Sequence, residues 1–594
     1  MSNYGNFGPL IGVINISNTH CKFMIYSTKN AEVLTSHELK LKQIVHNAGW
    51  CEYDPNEIWK HTVECIDVAY KNLVILEISP HDIIAVGICN MRGTTVLWDR
   101  ETGSALHNAI GWTDSRCTSL LKTLLNNFKR NVNYLRSVTG LPLSTCFSAL
   151  KIKWLMENNA TVQESLERDT LCFGTIDSWL LWNFTGSEIC GVHATDITNA
   201  QYTGLMNVNT LQWDKNICKF YKIPMNILPR IRSNSEIYGY IIEGPLNNIP
   251  IASCIGDQPS ALLGQLSLKA GQNVCSIDDS CFVLLNTGQE YVESDNGLLS
   301  LVSFKLGPQA KTNFALEGAI SNAGSTVNWL KDGLRINTEI NSNDNVVEVL
   351  NTFLGESSMI SSSCSSSMLN AECGVAAKRS EITFVPAFHG LYAPYWRYDA
   401  RGILLGLTSQ TTAENVSQAA YEATGFQIHE VLEAFKRDTK TWDWSNMKER
   451  LVFCGDYAEN SIFVQYIADI VGIILERPQT TSPSGLGAMI AAGITMEVLN
   501  TTYAQIAYMP PSDVFSPTTT PNRRSLLYKR WEYAVRKCLS WDNYESFESD
   551  LAIFAQRERD ANLPLRRSLP GSIFLTSAFV FLIVANFLQT QKLT

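Results

Sequence analysis

Apolar and polar positions alternate along this chain in blocks that change period. The chain opens with the apolar run "LIGVINIS" (10–17), a polar break at Asn18 to His20, and a second run, "CKFMIYS" (21–27). Short apolar runs bounded by turn residues predict strand, turn, strand. A third strand, "IIAVGICNM" (83–91), leads into "TTVLWDRETGSAL" (94–106), which predicts a hairpin turning at Thr102-Gly103. The period then lengthens. "WTDSRCTSLLKTLLNNF" (112–128), "SALKIKWLMENN" (148–159) and "TIDSWLLWNFTG" (175–186) predict helices, the last stopping at Gly186. The second half restarts in the same way. "PIASCIGDQPSALLGQL" (250–266) predicts strand, turn, helix, and "NVCSIDDSCFVLLNTG" (273–288) predicts another strand hairpin. "NFALEGAISNAGSTVNWLKDG" (313–333) predicts strand, small-residue turn, helix. "LVFCGDYAEN" leads into the helix "SIFVQYIADIVG", and "SPSGLGAMIAAG" (482–493) suits a helix pressed closely on a sheet. Two halves that each begin with a hairpin predict two α/β domains with a cleft between them.

Length agrees with two large domains, since 594 residues exceed one hydrophobic core. The composition, 45% apolar and 18% charged, is globular. A net charge of -10 gives no basic field to gather nucleic acid. The 16 cysteines contain no C-x-x-C pair, which argues against a metal cluster or disulfide framework and for a reducing compartment. The N-terminal stretch lacks the basic and apolar regions of a secretory signal. "GESSMISSSCSSSMLNAEC" (355–373) predicts a surface loop. After a polar linker (546–571), residues 572–588 run 17 residues without a charge, flanked by Arg566, Arg567 and Lys592. That length is at the short end of what crosses a bilayer, so a C-terminal transmembrane tail anchor is expected, with a docked core helix as the alternative.

Polar residues at the ends of apolar strands mark where chemistry could lie. Asp257 follows the strand ending near Ile255, at the edge where open α/β sheets hold ligands, and reads as a helix N-cap or a general base. Arg92 follows another strand, and Trp112 lies near Arg116. Asp278 and Asp279 stand side by side in the turn before the buried run Phe282 to Leu285.

Together these segments resemble the glycerol kinases of the FGGY carbohydrate kinase family, from about Leu10 to about Trp541. The resemblance rests on "GWCEYDPNEIW", "NAIGWTDSR", "TGLPLSTCFSALKIKWL", "FGTIDSWLLWNFTG", "HATDITNAQYTGLMN", "IGDQPSALLGQL", "NFALEGAISNAGSTVNWL", "VPAFHGLYAPYWRYDARGILLGLT" and "RWEYAVRKCLSW". It implies two actin-like ATPase (ribonuclease H-like) domains, 8–264 on the polyol side and 265–545 on the nucleotide side. It also implies transfer of the ATP γ-phosphoryl group to glycerol, with Mg²⁺. By position, Asp257 would take the hydroxyl proton and serve as a weak Mg²⁺ ligand. Arg92, Trp112, Gln258 and Phe282 would complete the polyol site, and Thr19, Gly324, Asn328 and Asn460 would meet the nucleotide. Dimers or tetramers follow only by analogy. The hydrophobic tail resembles animal glycerol kinases on the cytoplasmic face of the outer mitochondrial membrane.

Several positions depart from the family pattern. Gly93 stands for a Glu and Cys146 for a Tyr, which removes two groups that would bond a polyol. Asn15, Ser17 and Asn18 replace the Asp, Gly and first Thr of the first phosphate loop. Asp278, Asp279 and Ser280 replace Gly-Thr-Gly in the second, and Asp456 adds a further carboxylate. A carboxylate about 4 Å from a phosphate costs about 4 kcal/mol at an effective dielectric near 20, or roughly a thousandfold in binding. Asp278 or Asp279 is also a candidate Mg²⁺ ligand replacing the one missing at position 15. Three readings follow: a glycerol kinase, a pseudokinase that binds without turnover, and a kinase for another small polyol.

Overall fold

The computed structural model describes residues 4–129, 131–335, 382–440, 442, 450–479, 482–500, 508, 511–539 and 541. The Ser-rich stretch, the linker and the tail anchor expected at 572–588 lie outside them. Among the described residues no helix is long and apolar enough to cross a membrane.

The opening apolar runs form β1 (Leu10–Ile16) and β2 (His20–Ser27), an antiparallel hairpin extended by β3 (Val33–Lys40). β4 (Ile83–Asn90) pairs parallel to β1. The sheet is completed by β5 (Ser235–Tyr240) and β6 (Pro250–Gly256), in the order β5-β6-β4-β1-β2-β3. β4 and β6 are nearly continuous apolar runs because parallel strands are covered on both faces. On one face lie α1 (Pro55–Ile75), started by Asp54 capping the Asn56 N–H with Pro at its first turn, and α2 (Ile176–Phe184). β6 runs into α3 (Asp257–Gly264).

The second half repeats the plan. β7 (Asn273–Ile277) and β8 (Cys281–Gly288) form the hairpin, and β9 (Leu299–Phe304) and β10 (Asn313–Ile320) extend it. β10 is followed by α4 (Gly324–Asn328). β11 (Arg450–Cys454) pairs parallel to β7, as β4 does to β1. β12 (Ile474–Pro478) and the antiparallel β13 (Ser512–Phe515) finish the order β9-β10-β8-β7-β11-β12-β13. Helices α5 (Ala413–Asp438), begun by a Thr412/Asn415 capping box, and α6 (Ser461–Val471) pack on this sheet.

α7 (Pro483–Thr495) belongs to the second half in sequence but lies on the first sheet, where Ser253 Oγ donates to the Ala488 carbonyl at 2.9 Å. Its small residues let it cross α3 at backbone contact. A Cβ on Gly487 would come within 1.9 Å of the Ser260 carbonyl, and one on Gly264 within 1.9 Å of the Pro483 carbonyl.

Two local expectations need adjustment. The hairpin at 94–106 forms, with a Trp98–Ala105 bridge and backbone bonds from Asp99 to Ser104 and from Leu106 to Leu97, but its strand, Val96–Asp99, also makes a longer ladder with Leu171–Gly174. The helix expected from 112 starts at Thr118. The residues before it are held by side chains: Arg116 forms ion pairs with Asp114 at 2.8 Å and Glu52 at 2.6 Å.

Candidate active site

One candidate site is built at the carboxyl ends of two adjacent parallel strands. Gly256 of β6 pairs with Asn90 of β4, so the residues just beyond, Asp257 and Arg92, emerge side by side. Arg92 Nε donates to Asp257 Oδ1 at 3.1 Å. Gly256 makes room for the arginine stem, since a Cβ there would lie 2.6 Å from Arg92 Cγ and Cδ. Arg92 Nη2 donates to Glu317 Oε2 at 2.8 Å. The guanidinium lies over the Tyr202 ring at 4.3 Å and 5.8 Å from Phe282. Trp112 packs against Phe282 with ring centroids 5.4 Å apart, and against Tyr392 at 6.3 Å. Burial works against the arginine's charge, but Glu317 and Asp257 outweigh it and raise its pKa. Asp257 is the first helical residue of α3, not its cap, which is Gly256. Its carboxylate accepts from the Gln258 N–H at 2.8 Å and from Gln258 Nε2 at 3.3 Å. Asp257 keeps 26% of its side chain open, against 3% for Arg92 and 0% for Glu317. Of the three, Asp257 is therefore the one that solvent or substrate reaches.

The two departed acceptor positions meet each other. Gly93 has φ +71°, and a Cβ there would lie 2.9 Å from the Cys146 carbonyl. Lys151 Nζ donates to that carbonyl at 2.8 Å and to the Gly93 carbonyl at 3.0 Å. Burial depresses the Lys151 pKa to about 8, so the amine remains largely charged at neutral pH. Cys146 Sγ lies 3.3 Å from Ser144 Oγ.

The first hairpin turn satisfies its own backbone. Ser17 Oγ accepts from the Thr19 N–H at 3.3 Å and the His20 N–H at 3.1 Å. Those two donors are thereby committed within the turn. Asn18 Oδ1 accepts from Trp112 Nε1 at 3.0 Å, Asn15 Nδ2 donates to Ser484 Oγ at 3.1 Å, and Thr19 Oγ1 lies 2.8 Å from His20 Nδ1.

The second turn is acidic and likewise braced from within. Asp278 N donates to the Ser280 carbonyl at 2.9 Å, and Asp278 Oδ1 accepts the Asp456 N–H at 2.8 Å. Asp279 Oδ1 accepts from Asn328 Nδ2 at 3.0 Å. The first N–H groups of α4 are used as well: Gly324 donates to the Asp278 carbonyl at 3.1 Å and Ser325 to the Asp279 carbonyl at 2.9 Å. Only glycine fits at 324, because a Cβ would meet the Tyr457 ring at 2.2 Å. Asn460 spends its side-chain oxygen capping α6, accepting from the Phe463 N–H at 2.9 Å. Enclosure by the surrounding protein, reinforced by Asp456 and Asp279, pushes the Asp278 carboxyl up to about 7, although the residue itself stays open to solvent. Asp279 and Asp456 are raised by the same enclosure, with Asp456 also acting on Asp279 and His20 opposing both. Among the described residues no group of three or more His, Cys, Asp or Glu is placed to hold a metal by itself.

The structure thus gathers Arg92, Trp112, Asp257, Gln258 and Phe282 at one site, and brings Asp278, Asp279, Asp456 and Asn328 together at another. Sequence reasoning missed Glu317, Tyr202, Tyr392 and Lys151. Glu317 had a signal: it is the one charged residue in the strand "NFALEGAI", in the middle of its apolar run.

The sequence profile described as the FGGY family of carbohydrate kinases, N-terminal domain, matches residues 10–264, and the C-terminal domain profile matches 273–496. The chain belongs to the FGGY carbohydrate kinase family. Among its FGGY relatives, a probable glycerol kinase of Dictyostelium discoideum is 35% identical, covering 90% of this chain and 99% of that one. A glycerol kinase of Arabidopsis thaliana is 36% identical, covering 91% and 98%. The crystal structure of Plasmodium falciparum glycerol kinase with ADP superposes with a TM-score of 0.72 at 30% identity, over 90% of this chain and 99% of that one. A gluconate kinase from Lactobacillus acidophilus shares the fold, with a TM-score of 0.70 at 18% identity over 91% of this chain and 99% of that one.

Proposed function

We propose that this chain is a glycerol kinase, transferring the γ-phosphoryl group of ATP to glycerol to give glycerol 3-phosphate. The observation that carries the reading is the Arg92–Asp257 pair, set between the aromatic rings of Phe282, Trp112 and Tyr202. Rings beside the carbon chain and charged groups beside the hydroxyls suit a small polyol. Asp257, hydrogen-bonded yet open, is placed to accept the hydroxyl proton. Phosphoryl transfer asks more for positioning than for strong basicity. The glycerol kinase relatives, matched over nearly their whole length, support the same substrate.

Mg²⁺ usually keeps several waters and binds through one or two carboxylates plus substrate phosphates. Asp257, whose side chain stays 26% open, would be one such carboxylate and Asp278 or Asp279 the second, and the ion would neutralise charge on the transferred phosphoryl group. A specific observation favours the second reading, binding without turnover: three carboxylates, Asp278, Asp279 and Asp456, crowd the nucleotide side. Calorimetry with Mg-ATP, followed by ADP release across a panel of polyols, separates the readings. Micromolar ATP binding and glycerol-dependent ADP release are expected. Absence of binding at millimolar ATP would leave the pseudokinase, and preference for a different polyol would change the substrate.

We further propose that residues 572–588 anchor the protein on the cytoplasmic face of the outer mitochondrial membrane, and that it assembles as a homo-oligomer. Deletion after about residue 565 should release it to the cytosol, and retention on membranes would rule the anchor out. Light scattering of the purified chain reads its assembly.

A further inference from the structure

We infer that Glu317 is the positioning residue of the acceptor site, reaching from the second sheet to orient Arg92 beside Asp257 and so tying closure of the two domains to alignment of the substrate hydroxyl. The inference rests on the glycerol kinase reading for its substrate, though not for the contact itself.

Arg92 follows β4 of the first sheet, and Glu317 lies in β10 of the second. Their 2.8 Å ion pair therefore spans the two halves of the molecule, with side-chain exposures of 3% and 0%. Arg92 is shared between carboxylates of both halves: Nε on Asp257 and Nη2 on Glu317. This division leaves Nη1 as a donor for a substrate hydroxyl.

Packing alone does not call for an acid at 317. Its cross-strand partners are Leu284 and Leu299, and its strand neighbours are Leu316 and Gly318. A buried ion pair seldom outperforms well-packed apolar residues in stability. Glu317 Oε1 is moreover buried without a hydrogen-bond partner, as is Oε1 of Gln258 next to Asp257. An unpaired buried acceptor is costly, so this carboxylate is a poor choice for stability and a suitable one for aiming a guanidinium. Without it, Arg92 would be free to engage Asp257 with both arms of its fork, occupying the oxygens that must receive the hydroxyl proton.

The test is steady-state kinetics on the full-length chain carrying Glu317→Gln and Glu317→Asp. Misalignment of about 1 Å costs on the order of 10²-fold. Glu317→Gln should therefore lower kcat by about 10² and raise the glycerol KM about tenfold while the ATP KM holds, and Glu317→Asp should recover part of both. Equal loss in all parameters, tracking a fall in Tm, would mark a merely structural residue and overturn the inference, as would kinetics within twofold of the parent. A crystal structure of the Glu317→Gln variant separates this outcome from failure of the glycerol kinase reading. Even if the parent chain turns over no glycerol, Arg92 should swing to engage both oxygens of Asp257 in the variant, and an Arg92 that keeps only its Nε contact to Asp257 would overturn the inference.

Discussion

The Arg92–Asp257 site and the acidic turn of the second hairpin differ sharply in their electrostatics. At the carboxyl ends of β4 and β6, one arginine is shared by two carboxylates, and every charge has a partner. At the turn between β7 and β8, three carboxylates face one another, with His20 and Lys22 as the nearby basic groups. The hairpin turn of the first half, Ser17 to Thr19, has the same place in its sheet and no charge at all. Topology therefore does not make the second turn acidic; the side chains at 278, 279 and 456 do. On the function proposed above, the fold would keep the geometry for positioning a hydroxyl while the turn meant for phosphate carries the wrong sign.

The contrast can be broken most completely from the acceptor side. Asp257→Asn should lower glycerol-dependent ADP release by about 10³-fold, within the range of a lost general base, while calorimetry without Mg²⁺ finds ADP binding nearly unaltered. From the phosphate side, the combined change Asp278→Gly, Asp279→Thr and Ser280→Gly should tighten ATP binding by up to about a thousandfold, the Coulomb cost of one carboxylate near phosphate. A gain in turnover from Asp279→Gly alone would also exclude that residue as a replacement Mg²⁺ ligand.

Proton linkage sharpens the comparison with a smaller effect. Asp278 is held near 7, and an anion binds best to its neutral form. ADP affinity should thus rise about tenfold as pH falls from 8 to 6, through uptake of one proton. Calorimetry in buffers of different ionisation enthalpy reads that proton directly. Asp279, Asp456, Asp257, His20 and Lys22 share the surroundings, so the Asp278→Asn variant is the control and should flatten the profile.

The smallest effect is on stability. Because the folded state holds the Asp278 proton more tightly than the unfolded chain does, stability falls as pH rises from the usual carboxylate range towards 7 and stays low above it. Asp278→Asn should therefore raise Tm by about 2 °C at pH 8 and leave it unchanged near pH 4.

Much of this was legible in the residues. The hairpins of both halves, the strand-to-helix turn at Asp257 and the Arg92 strand end follow from apolar runs broken by turn residues, and the structure places them as expected. What escaped depends on partners distant in sequence. Glu317 draws its role from Arg92, 225 positions away, and nothing local in its strand announces that partner. The delayed start of the helix at Thr118 comes from Arg116 being drawn to Glu52, 64 positions earlier. Val96–Asp99 is half of the local hairpin that its turn chemistry announces, but its longer ladder, with Leu171–Gly174, could not be read from the turn. Periodicity reports the solvent on each side of a segment; it does not report which other segment replaces that solvent.

The crossing of α7 over α3 also bears on the order of assembly. The first sheet receives one of its covering helices only from residues 483–495. During synthesis, its apolar face must wait, bare, until the ribosome has passed Thr495. A nascent or truncated chain ending near residue 264 should accordingly be a strong client for chaperones, and the missing segment supplied in trans should be the natural remedy.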